Sequence, residues 1–231
     1  MADVLSGTRH SGPSLRERIE SNGESFHEEL ANTVIHGIGA VLAAGGLALL
    51  VVLAATTDSA RAVTTCAIYG ATVFLTLLAS ALYHGVWHQT TKRVFLALDH
   101  CTIFVLIAGT YTPIVLLALP QPLGWTLFGI LWGLAALGIG LRLVIGHLHW
   151  CLIPVFLAMG WLGFAWPNVL FQALGATGGW LLLAGGLCYS GGLVFYLWRR
   201  LPFHHAVWHL FVLGGVICHF LVIALYALPS A

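Results

Sequence analysis

Seven apolar segments, separated by short polar breaks, occupy almost the whole chain beyond residue 33. They cover residues 34–55, 63–87, 94–119, 123–145, 150–167, 176–198 and 205–228. A helix needs about 20 predominantly apolar residues to cross the hydrocarbon layer of a membrane, and only the fifth segment, which contains Pro154, is clearly short. Charged residues make up 7% of the chain, compared with about 25% in a soluble domain. The sequence therefore predicts an all-α fold, an integral membrane bundle of seven transmembrane helices.

The distribution of lysine and arginine predicts the orientation of these helices. If the N-terminus is cytoplasmic, eight of the nine basic residues fall in cytoplasmic segments or at their borders: Arg9, Arg16, Arg18, Lys92, Arg93, Arg142, Arg199 and Arg200. Only Arg61 then lies on the opposite side. Because cytoplasmic loops of membrane proteins are enriched in Lys and Arg, we expect the N-terminus inside and the C-terminus outside.

The first 30 residues differ from the rest, because they are polar and mixed in charge. All acidic residues except Asp58 and Asp99 lie in the first 29 positions. This region lacks the apolar core of a cleavable signal peptide, so we expect the first helix to direct membrane insertion. We divide the chain into a polar cytoplasmic region, residues 1–30, and a transmembrane domain, residues 31–231. No basic patch suggests a nucleic-acid partner, and the five isolated cysteines predict no disulfide framework.

Four ionisable residues from three apolar segments are expected to lie at one depth in the membrane. His84 is near the end of the second segment, Asp99 near the start of the third, and His205 and His209 near the start of the seventh. At a rise of 1.5 Å per residue, His84, Asp99 and His205 lie roughly 8 to 12 Å from the basic residues at the cytoplasmic ends. Ionisable residues inside a membrane are rare and usually functional. The equal depth predicts a shared site.

The three histidines of this group form a plausible ligand set for zinc. His205 and His209 are four residues apart, so they share one face of a helix. With His84 they supply three imidazoles, which together with a water molecule would make an open catalytic zinc site. A ligand set dominated by imidazole favours zinc over iron or manganese. Ser80 lies one helical turn before His84, on the same face.

Asp99 needs a partner, because an uncompensated carboxylate among apolar side chains is costly. We interpret it as the residue that holds or deprotonates the water of the metal site. The alternative is a structural salt bridge to Arg142 or Lys92. His100 adjoins Asp99 and is the peripheral histidine that most merits a test.

Further polar residues lie in the first and seventh segments. Glu29, Asn32 and His36 have the spacing i, i+3, i+7, which places them on one face of the first helix. Two interpretations are open: a polar interfacial face that caps the helix, or a contribution to the site. His219 lies ten residues beyond His209, and we interpret it as an interhelical hydrogen-bonding residue rather than a ligand.

Three motifs, in order along the chain, resemble those of the hemolysin III family, bacterial relatives of the progestin and adipoQ receptors. The motifs are Glu29-x2-Asn32-x3-His36, Ser80-x3-His84 followed by Asp99, and His205-x3-His209-x2-Val212-x6-His219. The resemblance covers about residues 25 to 228.

The resemblance implies seven membrane helices and a zinc ion near the cytoplasmic face, bound by His84, His205 and His209. It also implies that Asp99 is the acid that contacts water, that Ser80 is a neighbouring hydroxyl, and that the protein resides in the bacterial plasma (inner) membrane. In the animal receptors this site is linked to hydrolysis of the lipid amide ceramide. The short N-terminal region and the near absence of a tail in this chain argue against a protein hormone as partner.

Three classes of function follow from these observations. The first is a zinc-dependent hydrolase of a membrane lipid amide or ester, with membrane lipids as partners and with Asp99 taking up a proton. The second is a pore or cytolysin, as the family's name suggests, although purely apolar segments do not favour a wide aqueous channel. The third is a sensor of membrane state in which zinc is structural. Zinc export is less favoured, because no second acidic site lies towards the opposite face.

Overall fold

The computed structural model describes residues 24–145 and 152–230. Over these residues it contains helices and no strands, which confirms the predicted all-α class. The α-helices are α1 (Phe26–Ala55), α2 (Ala60–Gly85), α3 (Gln89–Pro113), α4 (Gln121–Ile145), α5 (Leu152–Trp161), α6 (Pro167–Leu197) and α7 (His204–Val222). Single π-helical turns extend α3 over Ile114–Ala118 and α7 over Ile223–Ala227, and 3-10 turns cover Leu162–Ala165 and Leu228–Ser230.

Six of the described helices are long and apolar enough to cross a membrane, and α5 is the exception. It has 10 residues of α-helix, followed by 4 residues of 3-10 helix. Together these rise by about 23 Å, which is less than the roughly 30 Å of the hydrocarbon layer. The shortness of α5 agrees with the weakness of the predicted fifth segment, whose first residues, 150 and 151, lie outside the described residues.

Helix α1 begins at Phe26 rather than at the predicted residue 34, because Ser25 caps its N-terminus. The Ser25 hydroxyl accepts a hydrogen bond from the Glu28 backbone N–H at 3.3 Å, and the Glu28 carboxylate accepts one from the Ser25 backbone N–H at 2.8 Å. This reciprocal capping box satisfies two donors that the first turn would otherwise leave unpaired. The polar end of the predicted N-terminal region is therefore helical, while residues 1–23 lie outside the described residues.

Helix α1 has an inverted distribution of polar and apolar side chains. Its polar residues Glu29, Asn32 and His36 are buried, whereas Val41 and Leu42 are 74% and 69% exposed. A helix with its apolar side chains facing outwards suits a lipid environment, where polar groups are buried among other helices. The polar face of α1 therefore points into the bundle.

Neighbouring helices pack in sequence order, and the two ends of the chain also meet. Helix α1 packs on α2 and on α7, α2 packs on α3, and α6 packs on α7. Helix α3 is the most buried of the six long helices. At the start of α7, the Phe203 backbone N–H donates a hydrogen bond to the Glu28 carboxylate at 2.9 Å. The beginnings of α1 and α7 are thereby held together, beside the end of α2 and the beginning of α3.

A close contact at Gly124 fixes the turn between α3 and α4. A Cβ atom at this position would lie 2.2 Å from the backbone oxygen of Val115, and a backbone atom cannot move aside as a flexible side chain can. We expect Gly124→Ala to lower the free energy of unfolding by about 1–3 kcal/mol, as overpacking does elsewhere. Thermal unfolding in detergent measures the effect.

Gly129 provides the matched control on the same helix, since a Cβ atom there meets nothing within 4 Å. Gly129→Ala is expected to leave the unfolding temperature unchanged or slightly raised, because alanine favours helix more than glycine does. Equal unfolding temperatures for the two variants would contradict the packing described for this turn.

Candidate metal centre

Three imidazoles from two helices converge at one point in the bundle. His84 lies near the end of α2, and His205 and His209 lie in the first turns of α7. One ligand nitrogen from each lies within 4.8 Å of the other two, and the Nε2 atoms of His84 and His209 are 3.2 Å apart. His84 is fully buried and His209 nearly so. The structure thus brings together all three predicted ligands.

The donor atoms of this group fit a zinc ion. With Zn–N bonds of 2.0–2.1 Å in a tetrahedral arrangement, two ligand nitrogens are separated by about 3.4 Å, close to the distance between the Nε2 atoms of His84 and His209. Neutral imidazoles are ordinary zinc ligands, so the residues present are suited to this ion.

A buried carboxylate lies behind His84. The Nδ1 atom of His84 and a Glu29 carboxylate oxygen are 2.6 Å apart, and the Lys92 ammonium group donates to the other oxygen of Glu29, also at 2.6 Å. The pairing with a carboxylate assigns the imidazole proton to Nδ1. The lone pair of Nε2 is then directed towards His209 and His205.

A second carboxylate lies behind His205. The Nδ1 atom of His205 is 2.5 Å from a Glu24 oxygen, and the Asn32 amide donates to the other oxygen of Glu24 at 3.1 Å. Burial acts to raise the pKa of the Glu24 carboxyl, but its hydrogen bond to His205 and the nearby imidazoles outweigh this effect, so the pKa lies below its ordinary value. Glu24 is therefore an anionic partner of His205.

Asp99 lies beside this group and outside the three-histidine cluster. It lines the same cavity as His205 and His209. The Ser80 hydroxyl is buried and has no hydrogen-bond partner among the described residues. Among the described residues Asp99 forms no ion pair: Lys92 pairs with Glu29, and Arg142 donates from Nε to His100 Nδ1 at 3.0 Å. Both cations that the sequence offers as partners of Asp99 therefore contact other groups in the described part of the chain, and the role of Asp99 stays a prediction.

Two further histidines occupy different positions. His36 on α1 is 3% exposed, and neither of its ring nitrogens has a hydrogen-bond partner within residues 24–145 and 152–230. Its ring centroid lies 3.7 Å from that of His209, so the two rings pack together. His219 lies deeper in α7, and its Nε2 atom is 3.2 Å from the Leu182 carbonyl oxygen on α6. His219 thus forms the interhelical hydrogen bond that the sequence favours.

A cavity of about 620 Å³ adjoins the cluster. Asp99, His205 and His209 line its polar part, and side chains such as Ile107 and Phe156 line its apolar part. Pockets for small molecules commonly have this size, a mainly apolar lining and a few polar groups at fixed places. The cavity can therefore hold an apolar molecule with a polar group next to the histidines.

Sequence reasoning did not identify Glu24 or Lys92 as parts of this arrangement. Glu24 lies in the polar region before α1, and Lys92 was interpreted only as a marker of orientation and a partner for Asp99. The available signal was the polar face of Glu29, Asn32 and His36, which indicates that the start of α1 faces buried polar groups. The structure favours the second interpretation of that face, a contribution to the site, because Glu29 contacts His84 directly.

Comparison with known proteins places these residues in a family. The family model described as "Haemolysin-III related" matches residues 24–220. The chain is similar to "Hemolysin-3" of Bacillus cereus, with 41% identity over 94% of this chain and 100% of that protein, and to the "Hemolysin-3 homolog" of Bacillus subtilis, with 41% identity over 87% and 95%. It is also 30% identical to the human "Monocyte to macrophage differentiation factor" over 94% of this chain and 92% of that protein. These matches confirm the resemblance read from the three motifs, and the chain is a multi-pass membrane protein that belongs to the haemolysin-III-related family.

Proposed function

We propose that this protein is a zinc-dependent hydrolase that cleaves an amide or ester bond of a membrane lipid. The observation that carries the proposal is that His205 and His209 belong both to the three-histidine cluster and to the wall of the cavity. A lipid whose chain occupies the apolar part would place its polar linkage beside the donor atoms. When bound, zinc polarises a carbonyl group and lets water act as a nucleophile near neutral pH.

The residues around the cluster have separate roles in this proposal. His84, His205 and His209 hold the ion. Asp99 lines the same cavity, so its carboxylate accepts the proton of the attacking water and returns it to the leaving group. Ser80 provides a buried hydroxyl near Asp99 and helps to orient that carboxylate.

We further propose that α5 completes a seventh membrane crossing, with the N-terminus in the cytoplasm and the site near the cytoplasmic face. The distribution of the basic residues supports this orientation, because eight of nine then lie on the cytoplasmic side. The similarity to two bacterial relatives supports the plasma (inner) membrane as the location. Membrane lipids are then the partners of the protein, and no hormone is required.

The hydrolase is tested with the purified protein in vesicles that contain an N-acylated lipid and a glycerolipid ester. We expect release of free fatty acid from one of these lipids, because the cavity suits an acyl chain. A metal chelator should abolish the release, and added zinc should restore it. A protein with one zinc ion that releases no fatty acid from either lipid class would contradict the proposal.

Pore formation is the second candidate, and the name of the similar Bacillus cereus protein, "Hemolysin-3", favours it. The same vesicles, loaded with a fluorescent dye, test this alternative. A hydrolase predicts fatty-acid release without leakage. Leakage that persists in the His84→Ala, His205→Ala protein, without any fatty-acid release, would favour a pore.

A further inference from the structure

Glu29 in the first turn of α1 and Glu24 just before this helix contact His84 and His205 on the side of each ring that faces away from the cluster. Glu29 meets Nδ1 of His84 at 2.6 Å, and Glu24 meets Nδ1 of His205 at 2.5 Å. Each imidazole therefore uses one nitrogen for a carboxylate, which leaves the other nitrogen for the cluster. His209 differs, because its Nδ1 atom has no hydrogen-bond partner in the part of the chain that the structure describes and its ring packs on His36.

The Glu29 carboxylate is almost completely buried, so its charge requires compensation. It is 2% exposed and Lys92 is 5% exposed, and their charged atoms are 2.6 Å apart. A buried carboxylate is strongly unfavourable unless it is paired and hydrogen-bonded, and Glu29 has Lys92 on one oxygen and His84 on the other. The chain of contacts His84–Glu29–Lys92 thereby joins α2, α1 and α3.

A second group of possible metal ligands lies next to the first. It consists of Glu24, Glu29 and His84, whose ligand atoms lie within 4.8 Å of one another. The contacts of Glu29 argue against this assignment. One of its oxygens already binds the Lys92 ammonium group and the other faces His84 Nδ1. The positive charge that the Glu29 carboxylate requires is therefore supplied by the Lys92 ammonium group.

A carboxylate behind a ligating imidazole has a known physical effect. It fixes the tautomer and the rotation of the ring, and it makes the opposite nitrogen a stronger electron donor. Removing such a partner typically lowers metal affinity about 10- to 100-fold. The contacts of Glu29 and Glu24 have the geometry for this effect on His84 and His205.

We propose that Glu29 and Glu24 are positioning residues that orient His84 and His205 towards the bound ion, and that Lys92 holds Glu29 in place. The proposal rests on the metal site of the proposed function. It assigns to the start of α1 a role in setting metal affinity, although α1 contributes no ligand to the three-histidine cluster.

Metal affinity is the readout that tests this assignment. Zinc binding to the purified metal-free protein is measured by competition with a chelator of known affinity, for the wild type, Glu29→Ala, Glu29→Gln and Glu24→Gln. We expect Glu29→Ala to bind zinc about 10- to 100-fold more weakly than the wild type. Glu29→Gln should show an intermediate loss, because an amide oxygen still accepts from Nδ1 but carries no charge. Glu24→Gln should weaken binding independently.

The control is Asp58→Asn, which makes the same change from carboxylate to amide at an exposed residue between α1 and α2. Asp58 has φ 53°, a conformation that asparagine tolerates well. Asp58→Asn should bind zinc as the wild type does. Unfolding temperatures of the metal-free proteins then show whether a variant has lost structure or only affinity.

The outcomes separate this proposal from the function on which it rests. If the wild type binds no metal, the proposed function fails. If the wild type binds zinc and the Glu29 and Glu24 variants bind it equally tightly, the positioning role alone is overturned. A lower unfolding temperature with unchanged zinc affinity would show that the two carboxylates serve only folding. Glu24 is the more exposed of the two, so Glu24→Gln is the variant expected to remain folded and measurable.

Discussion

Asp99→Asn is expected to reduce lipid hydrolysis by about 100- to 10,000-fold, the range over which a positioned acid or base contributes to catalysis. Asparagine has nearly the same shape as aspartate and still forms hydrogen bonds, but it cannot accept a proton. Since Asp99 lies outside the three-histidine cluster, the variant should retain zinc at wild-type stoichiometry. Fatty-acid release from vesicles and elemental analysis of the same sample measure the two properties.

Ser80→Ala provides a graded comparison for this result. It removes a neutral hydroxyl that makes no hydrogen bond of complete geometry, so we expect a smaller loss of turnover than for Asp99→Asn. Full lipid hydrolysis by Asp99→Asn would overturn the proton-transfer role of Asp99. If the wild type released no fatty acid while removal of zinc lowered its unfolding temperature, zinc would be structural. The protein would then fit the interpretation as a sensor of membrane state better than that as a hydrolase.

His84→Ala and His209→Ala are expected to weaken zinc binding by more than about 100-fold each. Partners that only orient a ligand contribute about 10- to 100-fold, and loss of a ligand itself should exceed this. Both side chains are buried, and their Nε2 atoms are 3.2 Å apart. A side chain at the protein surface therefore cannot take the place of either ligand. Chelator competition on the metal-free proteins measures the affinities.

His27→Ala is the matched control for these two variants, because it removes an imidazole from the exposed side of α1. It should bind zinc like the wild type. A folded His84→Ala protein with wild-type zinc affinity would show that the ion is bound outside the three-histidine cluster.

The long helices could be predicted from the sequence because their apolar length alone defines them. The limits of α1 and α5 could not be predicted in the same way. Helix α1 extends into polar sequence because Ser25 and Glu28 cap it, and a hydropathy pattern does not register a cap. The described part of α5 is shorter than a full crossing, because the α-helix gives way to a 3-10 segment at Leu162, and an apolar run does not show that change.

The three histidines could be predicted because helical spacing and equal depth depend only on position along the chain. The carboxylates that contact His84 and His205 could not be predicted in this way. Whether Glu29 meets His84 depends on the rotation of α1 about its own axis, and the contact spans 55 positions in sequence. Lys92 lies at a helix end where basic residues usually face the membrane surface, so its burial beside Glu29 is visible only in the folded bundle.

If His84, His205 and His209 bind one zinc ion, the purified wild-type protein must contain it, and its metal content is the decisive measurement. Elemental analysis of protein produced in medium with balanced iron, manganese and zinc is expected to find one zinc ion per chain, and almost none in His209→Ala. A wild-type protein without bound metal, or one with equal metal content in the His209→Ala variant, would contradict the account.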